Sequence, residues 1–207
     1  MIRVLLADDH QIVRDGLRRI LGAHPEFEVA GEAASGDDAL ALVRAHDFDL
    51  AVLDMSMPGL SGLDLVKRLK AEKPRLKILV LSMHGEQQYA ARALKAGASG
   101  YLGKDSAAEQ LVGALRKIAA GGVHVSEAAA AGLIHAGAGD GPPHGRLSDR
   151  EFEVFRLLAG GASPTEIARR LHVSVKTVST HKTRVLEKLG LSGTAELVRY
   201  ALEHKLL

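Results

Sequence analysis

At 207 residues, with no cysteine and a formal charge of only +2, the chain has room for one medium domain and a small second one, and has no thiols for a disulfide framework or thiolate metal site. Its apolar runs, such as Val4 to Ala7 and Ile78 to Leu81, fall far short of the ~20 residues that a membrane helix needs. Met1 leads straight into Ile-Arg-Val-Leu-Leu-Ala, without the basic start and small-residue cleavage site of a signal peptide, so the expectation is a cytoplasmic protein.

Along the first ~120 residues, short apolar runs alternate with amphipathic stretches. The pairs are Ile2 to Ala7 with Ile12 to Leu21, Glu28 to Ala33 with Ala39 to Arg44, and Leu50 to Leu53 with Leu63 to Leu69. Ile78 to Leu81 with Tyr89 to Lys95, and Gly100 to Leu102 with Leu111 to Ile118, complete the series. Five strand-helix repeats predict an α/β unit with a parallel sheet, because parallel neighbours need a crossover helix that must bury its apolar stripe. Gly97 and Gly121-Gly122 stand where helices should stop. From residue 123 to 145 the composition turns to Gly, Ala, Pro and Ser, which predicts a flexible linker with room for one short helix, Ala128 to His135.

Residues 146–207 lack strand-like alternation and divide into four helical stretches, Asp149 to Ala159, Thr165 to Leu171, Val175 to Leu189 and Thr194 to Glu203. Ser148 and Ser174 are placed as N-caps, and Gly160-Gly161 and Gly190 as stops. This last segment carries 11 Lys/Arg against 7 Asp/Glu, whereas residues 1–122 hold 16 of each. A small basic unit points toward a polyanion.

In a parallel α/β sheet, side chains just past the strand C-termini converge on one crevice. Here those ends carry Asp8-Asp9, Asp54, Ser82 and, after the fifth strand, Lys104. Three carboxylates repel one another, and a hard divalent ion, with Mg2+ as the best match to oxygen-only ligands, relieves that. Beside such an ion Asp54 is a carboxylate nucleophile toward an activated phosphoryl donor, with Lys104 as compensating cation and Ser82 as hydroxyl donor to the phosphate. His10 is read as a helix-entry residue rather than a metal ligand.

The segments Asp8-Asp9, Leu53-Asp54-Met55-Ser56-Met57-Pro58-Gly59, Leu81-Ser82-Met83-His84 and Lys95 to Lys104 resemble the receiver domain of two-component response regulators. The resemblance spans residues 1–122 and implies a flavodoxin-like, doubly wound sheet of order 2-1-3-4-5. It further implies that a sensor histidine kinase phosphorylates Asp54. Asp9, Asp54 and the Ser56 backbone carbonyl would bind Mg2+ directly, and Asp8 through water. Ser82 and Tyr101 become the switch pair, the ring turning inward behind the hydroxyl. Ser56 and His84 occupy positions that influence phosphate lifetime. Gly103 departs from the family pattern, which has a bulky apolar residue before the lysine, and this predicts a loosened loop around Lys104.

In the basic unit, the second and third helices with the turn His172-Val173-Ser174 form a helix-turn-helix pattern, with Ile167, Ala168, Leu171, Val173, Val178, Val185, Leu186 and Leu189 on its buried side. Leu147 to Glu151, Ile167 to Leu171, Val173 to His181 and Lys188 to Leu191 resemble the LuxR-type domain, a small all-α four-helix fold, and the whole chain is similar to the NarL/FixJ family. The implied DNA-facing set is Lys176, Thr177, Ser179, Thr180, Lys182, Thr183, Arg184 and Lys188. Ser179, Thr180 and Thr183 would meet base edges, and Lys182, Arg184 and Lys188 the backbone. Pro164 and Thr165 replace the polar residue and lysine that often open the scaffold helix. Leu197, Val198, Tyr200 and Ala201 in the last helix resemble the family's DNA-bound homodimer contact, with packing inside the domain as the alternative.

The function so implied is a phosphorylation-switched, DNA-binding transcription regulator and not an enzyme. Two rivals stay open on the sequence. A phosphoryl-transfer hydrolase would share Asp54, although the chain has no Gly-x-x-x-x-Gly-Lys loop and no second carboxylate two residues after Asp54. A protein-binding adaptor would share the helical unit without touching DNA.

Overall fold

A computed structural model describes residues 1–57, 60, 62–82, 86–125, 143–171, 173–204 and 206. The predicted linker helix at 128–135, and Pro58, Gly59, Met83 and His84 of the motifs above, lie outside the described residues. The chain divides into two compact units, Met1–Leu133 and Ile134–Leu207.

In the first unit, β1 (Ile2–Ala7), β2 (Phe27–Ala33), β3 (Leu50–Asp54), β4 (Lys77–Ser82) and β5 (Gly100–Gly103) form one parallel sheet of order β2-β1-β3-β4-β5. The helices between and after them are α1 (Gln11–Gly22), α2 (Gly36–Ala45), α3 (Gly62–Glu72), α4 (Glu86–Lys95) and α5 (Lys104–Ala119). Val4, Leu6, Leu50, Val52, Leu79, Leu81 and Leu102 share one buried cluster with Leu17 and Leu21 of α1 and Leu111, Leu115 and Ile118 of α5. The alternate residues Leu5, Ala51, Leu53, Ile78, Val80 and Tyr101 are buried on the opposite face, where α2 packs on β1 and α4 on β5. Burial on both faces is why the strands read as unbroken apolar runs rather than as alternations.

Two local features set the crevice at the strand ends. Gly36, the first residue of α2, lies so close to the Leu60 carbonyl that an added Cβ would sit 1.5 Å from its oxygen. Gly103 closes β5 opposite Ser82, with extended dihedrals of −66° and 138°, and α5 begins at the next residue. The expected loose loop before Lys104 is therefore absent. Strand pairing takes up Gly103, and the lysine is fixed by the first turn of a helix. Beyond α5 the chain returns to the sheet edge, where the His124 carbonyl accepts the Tyr101 N–H at 2.8 Å and the His124 N–H bonds the Ser99 carbonyl at 3.2 Å.

The second unit holds a 3-10 turn (Pro143–Arg146) and the helices α6 (Asp149–Ala159), α7 (Pro164–Arg170), α8 (Val175–Leu189) and α9 (Thr194–Glu203). Ser148 and Ser174 cap α6 and α8 as expected, and Gly190 ends α8 in the left-handed region at φ 66°. The α7 helix starts one residue earlier than predicted. Ser163 caps it in a reciprocal box with Glu166, and Pro164 sits at a first-turn position where its missing N–H costs nothing. Phe152, Phe155, Leu158, Ile167, Val178 and Val185 form the interior together with Leu197 and Ala201. Leu197 and Ala201 are thus spent inside the unit, because α9 needs their stripe to pack on α6, and of the large apolar side chains on α9 it is Leu202 that is mostly exposed. The buried Glu151 carboxylate accepts the Ser148 N–H at 2.8 Å and Lys188 Nζ at 2.6 Å.

Two stability measurements follow from this packing. Gly36→Ala should cost the receiver-like unit about 1–3 kcal/mol, since a methyl there must displace backbone, and denaturant titration of the variant would reveal it. Burial pushes the Glu151 carboxyl up, but Lys188 and the Ser148 N–H more than offset this and hold it below the ordinary 4.5. A depressed carboxylate contributes stability above its unfolded pKa and loses it as pH falls through the folded one. Thermal unfolding of wild type should therefore weaken as pH falls below the ordinary 4.5 more steeply than that of Glu151→Gln.

Candidate functional site

The ends of β1, β3 and β5 bring Asp8, Asp54 and Lys104 together. Asp8 and Asp54 are 1% and 3% exposed. Lys104 Nζ reaches both, at 2.7 Å from Asp8 Oδ2 and 3.0 Å from Asp54 Oδ1. Asp54 Oδ2 is buried and has no hydrogen-bond partner among the described residues. Burial is the main reason that the Asp54 carboxyl lies above the usual carboxylate range; the Lys104 charge and hydrogen bond pull the other way, the Asp8 charge adds to the rise, and the Ser56 N–H opposes it. Burial also works against the Lys104 ammonium, yet its hydrogen bond to Asp8 and the Asp54 charge raise it above its ordinary value. The lysine stays charged, and the pair of acids is held by it.

Asp9 follows with its side chain about one-third exposed, and His10 opens α1. The His10 N–H donates to Asp8 Oδ1 at 2.8 Å, while its ring Nδ1 lies 3.2 Å from Asp8 Oδ1 and 2.9 Å from Asp9 Oδ1. One ligand atom from each of Asp8, Asp9, His10 and Asp54 falls within 4.8 Å of the others. Arg14, buried beneath α1, donates to the Asp8 carbonyl at 2.5 Å. Sequence reading missed this brace. Its signal would have been an arginine one helical turn past His10, on the inward side of α1.

Ser82 and Tyr101, the predicted switch pair, are each 1% exposed and stand on adjacent strands. Val80 pairs with Tyr101 and Ser82 with Gly103, so the hydroxyl and the ring sit two residues apart along the β4–β5 ladder. Tyr101 occupies a buried position, and Ser56 lies two residues beyond Asp54 on the turn that leaves β3.

In the helical unit, α8 exposes Lys176, Ser179, Thr180, Thr183 and Arg184, and leaves Lys182 partly buried. The Thr180 and Thr183 hydroxyls donate to the carbonyls of Lys176 and Ser179 at 3.0 and 3.1 Å. Each then offers acceptor lone pairs and a methyl group outward. Two further residues of the predicted set also have partners within the unit. The Thr177 hydroxyl shares a 2.8 Å hydrogen bond with the capping Ser174, and Lys188 is the partner of Glu151. The His181 Nδ1 is buried, and burial lowers the pKa of the ring. Val175 at the start of α8 and Arg169 and Arg170 on α7 are exposed as well. Among the described residues no helix is long and apolar enough to cross a membrane.

Comparison with known proteins agrees with both halves. Residues 4–116 match the response regulator receiver domain, and residues 145–201 match bacterial regulatory proteins of the luxR family. The chain is 36% identical over 210 residues to the response regulator UvrY of Escherichia coli O6:H1, covering 100% of this chain and 96% of that one. A solved structure of the RcsB response regulator of Salmonella typhimurium matches with a TM-score of 0.77 at 32% identity, over 100% of this chain and 98% of the other. RcsB from Salmonella enterica serovar Typhimurium, bound to promoter rprA in the presence of the phosphomimetic BeF3-, matches with a TM-score of 0.72 at 33% identity, over 96% and 97%. The expected flavodoxin-like sheet followed by a helical LuxR-type unit is therefore observed, and the chain belongs to the NarL/FixJ family of two-component response regulators, which join a receiver domain to a luxR-family regulatory domain.

Proposed function

We propose that this protein is a cytoplasmic switch in which a sensor histidine kinase phosphorylates Asp54 and the modification controls promoter binding by the helical unit as a homodimer. The observation that carries the reading is the Asp54 carboxylate, buried, tied to Lys104 through Oδ1 and left with Oδ2 unpartnered. An unpartnered buried carboxylate oxygen is costly unless something arrives to use it. The receiver unit spans residues 1–122, a linker 123–145 and the DNA-binding unit 146–207 in this reading.

The donor set fits a hard divalent ion, since three carboxylates meet and one buried oxygen is unspent. Asp9, Asp54 and the Ser56 carbonyl would hold Mg2+, with Asp8 acting through water. When bound, the ion offsets charge on the phosphoryl oxygens. An Asp54 oxygen attacks phosphorus, the bond from phosphorus to the donor breaks, and an acyl phosphate forms. Lys104, already within 3.0 Å of Asp54, exchanges a carboxylate oxygen for a phosphoryl oxygen without leaving the first turn of α5. Ser82 donates its hydroxyl to another phosphoryl oxygen, and Tyr101 fills the space behind it. Hydrolysis resets the switch and serves as a timer rather than as turnover of a substrate.

For the helical unit, Ser179, Thr180 and Thr183 present acceptors and methyls suited to base edges in the major groove, flanked by Lys176, Lys182 and Arg184 for phosphates. Thr177 and Lys188 support the helix instead of the contact. RcsB, the relative bound to promoter DNA, supports this use of the unit.

Two experiments test the reading. Wild type incubated with Mg2+ and acetyl phosphate should acquire hydroxylamine-sensitive phosphate, and Asp54→Asn should acquire none; labelling of the variant would move the site elsewhere. In gel shifts with duplex DNA over rising salt, affinity should fall log-linearly, and Lys182→Ala should lower the slope by about 1. An adaptor that never touches DNA would give no salt-sensitive complex.

A further inference from the structure

The middle of the outward face of α8 carries only short side chains. Val175, Ser179 and Thr183 fall on one row of the helix and Lys176, Thr180 and Arg184 on the next, successive members of each row lying about one turn apart. All six are exposed. Arg or Lys on guanine and Asn or Gln on adenine are the side chains that read a base through two hydrogen bonds at once, and α8 contains neither Asn nor Gln. Two of the short side chains have also committed their hydroxyl hydrogen. Thr180 Oγ1 donates to the Lys176 carbonyl at 3.0 Å, and Thr183 Oγ1 to the Ser179 carbonyl at 3.1 Å. A hydroxyl has a single hydrogen, so neither threonine donates to guanine O6 or N7 without giving up that bond. The bond also selects one of the two rotamers that a helical threonine uses, and so fixes the direction in which the methyl points.

We propose that Thr180 and Thr183 read A·T pairs in each half-site, their methyls packing on thymine C5-methyl groups and their oxygens accepting from adenine amino groups, with guanine left unread at those positions. The inference rests on the reading of the helical unit as a major-groove binder, and names the base chemistry that it recognises. An A·T pair presents both complements in the major groove, whereas G·C presents an amino donor without a methyl. Short side chains make contact only when the helix comes close to the groove floor. Lys176 and Arg184, one turn to either side of Thr180, are long enough to reach phosphates as it does. Val175, 44% exposed on the Thr183 row, extends the apolar strip toward the helix start, the end of a recognition helix that meets base edges.

The test selects bound molecules from a pool of random duplexes with the full-length protein, treated with Mg2+ and acetyl phosphate. The enriched half-site should contain T·A pairs. In gel shifts on the selected duplex, deoxyuridine in place of one such thymidine should weaken binding about fourfold, the worth of one buried methyl. A 5-methylcytosine·guanine pair there should bind better than cytosine·guanine, because it restores the methyl beside an amino donor. Thr180→Ser and Thr183→Ser keep the hydroxyl and drop the methyl, and each should cease to distinguish thymidine from deoxyuridine at the pair it reads. Thr180→Val and Thr183→Val keep a methyl on a branched Cβ and should retain the distinction. Enriched sites whose thymidines all tolerate deoxyuridine, discrimination that persists in both serine variants, or a salt-sensitive complex without enrichment would overturn the inference and leave DNA binding intact; sensitivity to 7-deazaguanine in its place would give the reading to Lys176 or Arg184. No enrichment and no salt-sensitive complex would overturn the DNA reading of the helical unit together with the inference.

Discussion

Mutual repulsion of carboxylates at one end of a sheet is the constraint on which the receiver depends. Two like charges about 4 to 5 Å apart, at the effective dielectric constant of roughly 20 that suits protein sites, oppose each other by about 3 to 4 kcal/mol. Asp8 and Asp54 are also buried, so water does little to screen them. Lys104 is the counterweight, with one nitrogen shared between the two. Its place runs against helix electrostatics, since a cation in the first turn of α5 faces the positive end of the helix dipole. The two carboxylates outweigh that disadvantage. The direct passage from β5 to α5 through Gly103 ties the lysine's backbone to the edge strand of the sheet.

A centre balanced in this way responds to any change in its charge. Adding a phosphoryl group to Asp54 converts one buried carboxylate into a larger anion with more acceptor oxygens, and Lys104 must redistribute its bonds between that group and Asp8. In the proposed switch the response would pass sideways, because β4 and β5 present Ser82 and Tyr101 along the same ladder. Both are already buried, so the switch proposed for them is a repacking within a dense interior, and dense interiors adopt discrete arrangements rather than sliding between them.

Much of this was legible in the sequence because it is written locally. Unbroken apolar runs marked the strands, serines and glycines marked the helix ends, and acids directly after apolar runs marked the crevice. What escaped notice depends on contacts between residues distant in the chain or on detailed geometry. The close approach of Gly36 to Leu60 leaves no local trace. Lys188 reads as a free cation on the helix surface until α6 brings the buried Glu151 beneath it. Leu197 and Ala201 could serve an inner or an outer stripe equally well, and packing on α6 decides between them. Gly103 misled for the opposite reason. A missing side chain suggested looseness, whereas main-chain pairing with β4 supplies the order.

The same main-chain logic governs the exit from the receiver. Beyond α5 the backbone runs beside β5, and His124 takes the N–H of Tyr101 while giving its own to Ser99. Gly100 is what permits this approach, because a Cβ there would meet the His124 carbonyl oxygen and the tip of Ile118 at 2.8 Å each. The segment at 123–125 is thereby tied by backbone hydrogen bonds to the strand that carries Tyr101. A displacement of the Tyr101 backbone must either carry His124 with it or break that bond, and a broken buried hydrogen bond costs about 1 to 3 kcal/mol. Such a cost is comparable with the free energies by which ligands and modifications bias two-state proteins, so under the switch proposed above the edge of β5 is where phosphorylation of Asp54 would act on the chain beyond α5.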